Sequence, residues 1–186
     1  MKQIKLPTTT KPDIRLFGEV TEGMLSEFFR QQAEVAKGNA VVLELSTSGG
    51  DADAGRRIAM ELKLWQDEGQ EVFFLGKSYV FSAGITIMGA IPQPYRFLTA
   101  DTELLIHERK IDKKIRLDGS LRGCRSQIQN VLAEIDSGQR LEHSDFSKLV
   151  NGTKLTVEDV LQKVMDSDWY LSAAHAKEVG LIADVI

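Results

Sequence analysis

One cysteine, three histidines and four prolines are all that this 186-residue chain holds of residue types that often carry special chemistry. The lone Cys124 excludes an intrachain disulfide, and with it a secreted disulfide scaffold. Arg122 and Arg125 stand beside it, yet no strand or helix end delivers a base to it, so it does not read as a thiol-peptidase site. The histidines and the cysteine show no metal-ligand spacing, and no metal or other cofactor is expected. No apolar run approaches the roughly 20 residues of a membrane span. The segment Met1-Lys2-Gln3-Ile4-Lys5-Leu6-Pro7 lacks the apolar core of a signal peptide, so a cytoplasmic location is the expectation. Basic charge is not in excess either: 23 Lys and Arg against 27 Asp and Glu give a formal net charge of -4, and the nearest thing to a basic patch, Arg109, Lys110, Lys113, Lys114 and Arg116, is interrupted by Asp112. That balance argues against a nucleic-acid partner. With 42% hydrophobic and 27% charged residues, residues 1–186 are expected to form one soluble domain able to bury its own core.

The chain alternates between two periodicities. Residues 1 to about 13 are polar and read as an arm or a loosely held edge strand. Ile14-Arg15-Leu16-Phe17 reads as a short strand stopped by Gly18. Thr21 caps a helix carrying Met24, Leu25, Phe28, Phe29 and Ala33, with its stop signal at Lys37-Gly38-Asn39. Val41 to Leu45 is a β-branched buried strand ending at Gly49-Gly50, and the next helix places Ile58, Leu62 and Trp65 on one face. Val72 to Leu75 is another strand, Ser82 opens a helix closed near Pro92-Gln93-Pro94, and Tyr95 to Leu98 and Leu104 to Ile106 are two more strands. Leu121 to about Val150 is a long polar helix whose narrow apolar stripe, Ile128, Leu132 and Ile135, suits leaning on a neighbour. Thr156 with Asp159 forms a capping-box variant, Ser172 caps a last helix ended by Gly180, and Leu181 to Ile186 reads as a final strand. This rhythm predicts an α/β fold of parallel strands joined by crossover helices, with the chemistry collected at one sheet edge.

Taken singly, Ser82 is a helix cap, His107 a strand-end histidine, Asp168 a surface carboxylate and Gly49-Gly50 a tight turn. Their conjunction is more specific. Ser82 stands where a strand becomes a helix, His107 ends the strand Leu104-Leu105-Ile106, and Asp168 precedes the last capped helix. In chain order these supply a nucleophile, a base whose ordinary pKa of about 6.5 suits proton transfer, and an acid to orient that base. The N–H groups of Ala83 and Gly50 are candidate donors to an oxyanion. His143 and His175 lie on helices where surface exposure explains them.

These segments resemble the proteolytic subunit of the Clp protease, a family with the fold of crotonase-type enzymes. The resemblance rests on Leu45-Ser46-Thr47-Ser48-Gly49-Gly50-Asp51-Ala52-Asp53-Ala54-Gly55, Phe81-Ser82-Ala83-Gly84, Leu105-Ile106-His107, and Asp168-Trp169-Tyr170-Leu171-Ser172-Ala173, and covers about Leu16 to Ile186. It implies a ClpP/crotonase-like spiral of strand-strand-helix units with a projecting handle at about residues 110–150. It also implies a serine endopeptidase with Ser82 as nucleophile, His107 as general base, Asp168 as orienting acid, and Gly50 and Ala83 as the oxyanion hole. The implied substrate is an extended peptide or unfolded protein, paired as an added strand near Asp51 to Asp53 and near Arg109 to Lys113. The implied partners are copies of the chain in homo-oligomeric rings and an ATP-dependent unfoldase. Ser48 stands where the family usually has proline, and Glu108-Arg109 where it usually has glutamine and proline. Those changes, with the charged stretch Lys110 to Ile115, motivate an alternative, a catalytically inactive ring or scaffold subunit. A crotonase-like acyl-CoA enzyme is a third reading of the same fold.

Overall fold

The computed structural model describes residues 4–36 and 38–186. In chain order the elements are β1 (Ile14–Phe17), α1 (Glu22–Glu34), β2 (Val41–Thr47), α2 (Ala52–Asp67), β3 (Val72–Phe81), α3 (Ala83–Gly89), a 3-10 turn (Gln93–Tyr95), β4 (Arg96–Leu98), β5 (Glu103–Ile106), α4 (Leu121–Val150), α5 (Val157–Met165), β6 (Trp169–Ser172), α6 (Ala173–Glu178) and β7 (Asp184–Val185). The helix starts follow the capping residues in the sequence: Thr21, Asp51, Ser120, Thr156 and Ser172 each accept a backbone N–H from the first turn of their helix. Lys37, part of the stop signal expected after α1, lies outside the described residues; the helix itself ends at Glu34.

The strands form one seven-stranded sheet in the order β1-β2-β3-β4-β7, with β5 pairing β3 and β6 pairing β5. All pairings are parallel except β5 with β6. Alternate residues divide between two cores. Ile14, Leu16, Leu43, Leu45 and Phe74 face the helices and pack with Met24, Phe28, Ile58, Leu62 and Ile87. On the reverse face Val42, Phe73, Leu75 and Phe97 form a smaller cluster covered by Ile4, Leu6 and Tyr95. The N-terminal segment is thus an arm lying over the sheet, with no strand among residues 4–13; residues 1–3 lie outside the described part.

Three elements differ from the sequence expectation. β3 runs ten residues, to Phe81, where the apolar run alone marks only Val72 to Leu75. Its first half pairs β4 through Phe74, Leu75 and Gly76, and its second half pairs β5 through Tyr79, Val80 and Phe81. Ser78, at φ 61°, is the joint between the halves. The segment after Asp168 is the strand β6, formed because β5 offers it an edge. The last strand shrinks to Asp184–Val185, because β4 pairs with it through only Phe97 and Leu98.

α4 is about 45 Å long at 1.5 Å per residue. Within it only Phe146 and Leu149, near the C-terminal end, are buried. That end is held by Arg96, 1% exposed, whose guanidinium donates to the carbonyls of Gly89, Ile91, Lys148, Leu149 and Leu181. Burial among carbonyls pushes Arg96 down to about 10, still far above neutral pH, so it stays charged.

Candidate active site

Three neighbouring strands bring the predicted residues to one edge of the sheet. β3 and β5 run parallel with Phe81 opposite Leu105, and the Ser82 N–H donates to the Leu105 carbonyl at 2.9 Å. β5 and β6 run antiparallel with Ile106 opposite Trp169. Continuing that register by one residue sets His107 opposite Asp168. The same extension sets Ser82 opposite Ile106, so Ser82 and Asp168 lie on the two strands on either side of β5.

Ser82 caps no helix with its side chain: it sits before α3 with φ 53° and ψ -115°, and its hydroxyl makes no capping hydrogen bond. The oxygen is left free, in a backbone conformation that non-glycine residues adopt at a cost of about 1–3 kcal/mol and that clusters at functional sites. Gly49 makes room for it. A Cβ on Gly49 would stand 2.6 Å from Ser82 Cβ and 3.2 Å from Ser82 Oγ, and the residue is at φ +93°. Gly84 is confined in the same way, its added Cβ meeting Thr47 at 2.4 Å. Sequence reading took the Gly49-Gly50 pair as a turn with Gly50 as the active member; the close approach belongs to Gly49.

The backbone donors around the serine are distributed unevenly. Gly49 N–H is taken by Thr47 Oγ1 at 3.1 Å, Asp51 N–H by the Val20 carbonyl at 2.8 Å, and Ser82 N–H by Leu105. Among the described residues the N–H groups of Gly50 and Ala83 meet no acceptor. Both residues line, with Ser82 and His107, a cavity of about 330 Å³ whose walls include Ile85, Ile106 and Phe146.

His107 is half-buried, and its Nδ1 lies 2.5 Å from the Glu108 carbonyl. A carbonyl only accepts, so Nδ1 carries the proton and the lone pair of the neutral ring is on Nε2. Asp168 is exposed and its carboxylate pairs with Lys110 Nζ at 3.4 Å. Among the described residues no hydrogen bond joins Ser82 to His107 or His107 to Asp168. The three residues are adjacent without being linked.

Sequence reading placed Arg109 and Asp53 beside the peptide but missed the acids that reach this cavity from α4. Arg109 Nη2 pairs with Asp53 Oδ1 at 2.6 Å, tying together the two segments expected to flank a peptide. The nearer of these, Asp51 to Asp53, is the start of α2, with Asp51 accepting the N–H groups of Asp53 and Ala54. From α4 come Glu142, which accepts the Arg109 N–H, and Asp145, which pairs with Arg56 and with Lys148. Nothing in the local sequence marks these two, because what aims them here is the way α4 packs on α3. Among the described residues no cluster of three or more metal-ligating side chains occurs, and no helix is long and apolar enough to cross a membrane.

Comparison with known proteins bears on the family and the fold. A family model described as Clp protease matches residues 7–186. The ATP-dependent Clp protease proteolytic subunit 3 of Rhizobium johnstonii is 25% identical over 176 residues, spanning 93% of this chain and 82% of that protein. Subunit 2 of Treponema pallidum is 26% identical over 178 residues, spanning 93% and 81%. Among solved structures, a point mutant of ClpP1 from Listeria monocytogenes matches with a TM-score of 0.75 at 20% identity, covering 93% of this chain and 90% of that one, a likeness of fold.

Proposed function

Because this chain belongs to the Clp protease family, we propose that it is a serine endopeptidase whose nucleophile is Ser82 and whose substrates are extended peptides or unfolded proteins. The observation that supports this reading is that Ser82 and His107 line one cavity, while the β5–β6 register, extended by one residue, brings Asp168 opposite His107. The peptide carbonyl enters with its oxygen toward the Gly50 and Ala83 N–H groups. Nε2 of His107 takes the Ser82 proton as Oγ attacks the carbonyl carbon. The developing oxyanion is held by the two backbone donors, each worth about 3 kcal/mol. His107 then gives its proton to the leaving amine, and water, deprotonated by the same nitrogen, releases the acyl group from Ser82. Asp168 serves by turning from Lys110 to the Nδ1 side of His107, where its charge stabilises the imidazolium.

Under the same reading copies of the chain assemble into rings, with α4 as the handle between two of them and an ATP-dependent unfoldase as the feeding partner. Exposed apolar residues of α4, among them Leu121 and Leu132, support this. A second reading, a ring subunit without turnover of its own, is favoured by the Lys110–Asp168 pair and the unlinked histidine. Hydrolysis of an unfolded protein separates the two. The purified chain should cleave it, and Ser82→Ala should lower turnover by on the order of 10⁴ or more; undiminished cleavage by that variant removes Ser82 from the chemistry.

A further inference from the structure

The cavity beside Ser82 is two-sided in character. Its inner wall is apolar, made by Ile85, Ile106 and Phe146, while Arg109, Lys110, Glu142 and Asp145 stand around its rim. Ser82 is among its lining residues, and in the proposed mechanism the side chain next to the attacked carbonyl, on the acyl side, is taken to reach it. About 330 Å³ is enough for one long side chain.

The four charged groups of the rim differ in how they are matched. Arg109 is paired with Asp53, Lys110 with Asp168, and Asp145 with both Arg56 and Lys148. Glu142 alone, half-buried, has only a neutral partner, the backbone N–H of Arg109. Among the described residues no cation lies within ion-pair distance of its carboxylate. Glu142 also lines a second cavity, of about 510 Å³, that continues along α4, so its charge stands where the two spaces meet. When Asp168 turns to His107, Lys110 loses its partner. Its side chain, however, is 68% exposed and its charge is screened by water, whereas Glu142 is half-buried.

We propose that Glu142 is a specificity-determining residue that selects a lysine or arginine side chain on the acyl side of the scissile bond. The methylene stem lies on Ile85, Ile106 and Phe146, and the cationic end meets the Glu142 carboxylate. A stem of that kind buries apolar area while its charged end stays at a polar rim. A glutamate side chain of the substrate would instead meet a like charge, and a norleucine would leave the carboxylate unmatched.

This inference rests on the endopeptidase reading, and the test distinguishes the two. Two peptidyl diphenyl phosphonates, differing only in carrying lysine or norleucine beside the phosphorus, are reacted with the purified chain. The rate of Ser82 modification is measured for each, alongside a simple fluorophosphonate that lacks a side chain. The lysine probe should react about tenfold faster than the norleucine probe, a gap of the size expected for one charge pair at a half-enclosed site. Glu142→Gln, whose amide oxygen still accepts the Arg109 N–H, should bring the ratio close to one. Modification by the fluorophosphonate together with equal or faster reaction of the norleucine probe, or a ratio unmoved by Glu142→Gln, overturns the selection and leaves the peptidase reading standing. Failure of all three probes to modify Ser82 overturns the peptidase reading, and the selection with it.

Discussion

Lys110 and His107 compete for one carboxylate. Asp168 faces His107 by register yet spends its charge on Lys110 at 3.4 Å, in a pair whose two side chains are 68% and 42% exposed. An exposed pair of this kind is worth about 0–1 kcal/mol, so under the proposed mechanism the contact delays Asp168 without locking it. Lys110→Met should therefore speed fluorophosphonate modification of Ser82 at neutral pH by up to about fivefold, the equivalent of that energy. A stopped or manual labelling time course checks this, and a slower variant would mean that Lys110 supports the site. Other residues here act by being small. Gly49 admits the Ser82 side chain, and its part was only half legible in the sequence. A double glycine announces a turn, but which of the two touches Ser82 depends on how β2 ends against the end of β3.

Elements were legible where their ends are written in side chains. α4 spans Leu121–Val150, as the polar pattern indicates, and α5 begins with the box in which Thr156 Oγ1 accepts the Asp159 N–H while the Asp159 carboxylate accepts the Thr156 N–H at 2.8 Å. Strands were legible only where apolar residues run together. The second half of β3 contains Lys77, Ser78 and Tyr79, which hide it from a pattern search, and β6 is a strand because β5 lies beside it. The α5 box also yields a pH dependence. Hydrogen bonds from the Thr156 backbone and hydroxyl hold the Asp159 carboxyl below its ordinary value. A depressed carboxyl favours the folded state at neutral pH, and the contribution fades as pH falls through the ordinary carboxylate range and then through the lowered value. Asp159→Asn should lower the melting temperature at pH 7 and make less difference at pH 2. Equal effects at both values would show that the charge on Asp159 contributes nothing.

At the scale of the whole molecule, β3 serves β4 first and β5 later, and that change of partner brings the ends of β3 and β5 to one cavity. The alternation of strand and helix signalled an α/β fold, and the matched motifs signalled its family; the change of partner was not visible, because it depends on Ser78 and on strand pairings distant in sequence. The long α4 leaves Leu132 53% and Leu121 89% exposed, alongside Ile111 and Ile115. Apolar residues spread along a projecting helix suit contact with another copy. If α4 joins two rings, Leu132→Glu should halve the native mass while the thermal melt of the fold stays nearly unchanged, as expected for a surface substitution. An unchanged native mass would take Leu132 out of the contact.

The most direct measurement is mass mapping of the fluorophosphonate adduct with its rate taken in the parent chain and in His107→Ala. An adduct on Ser82, forming about a hundredfold or more slowly without the imidazole, is the expected result for a serine activated by that base. An adduct on a different residue, or an undiminished rate at Ser82 in the His107 variant, would contradict the site built at the ends of β3, β5 and β6.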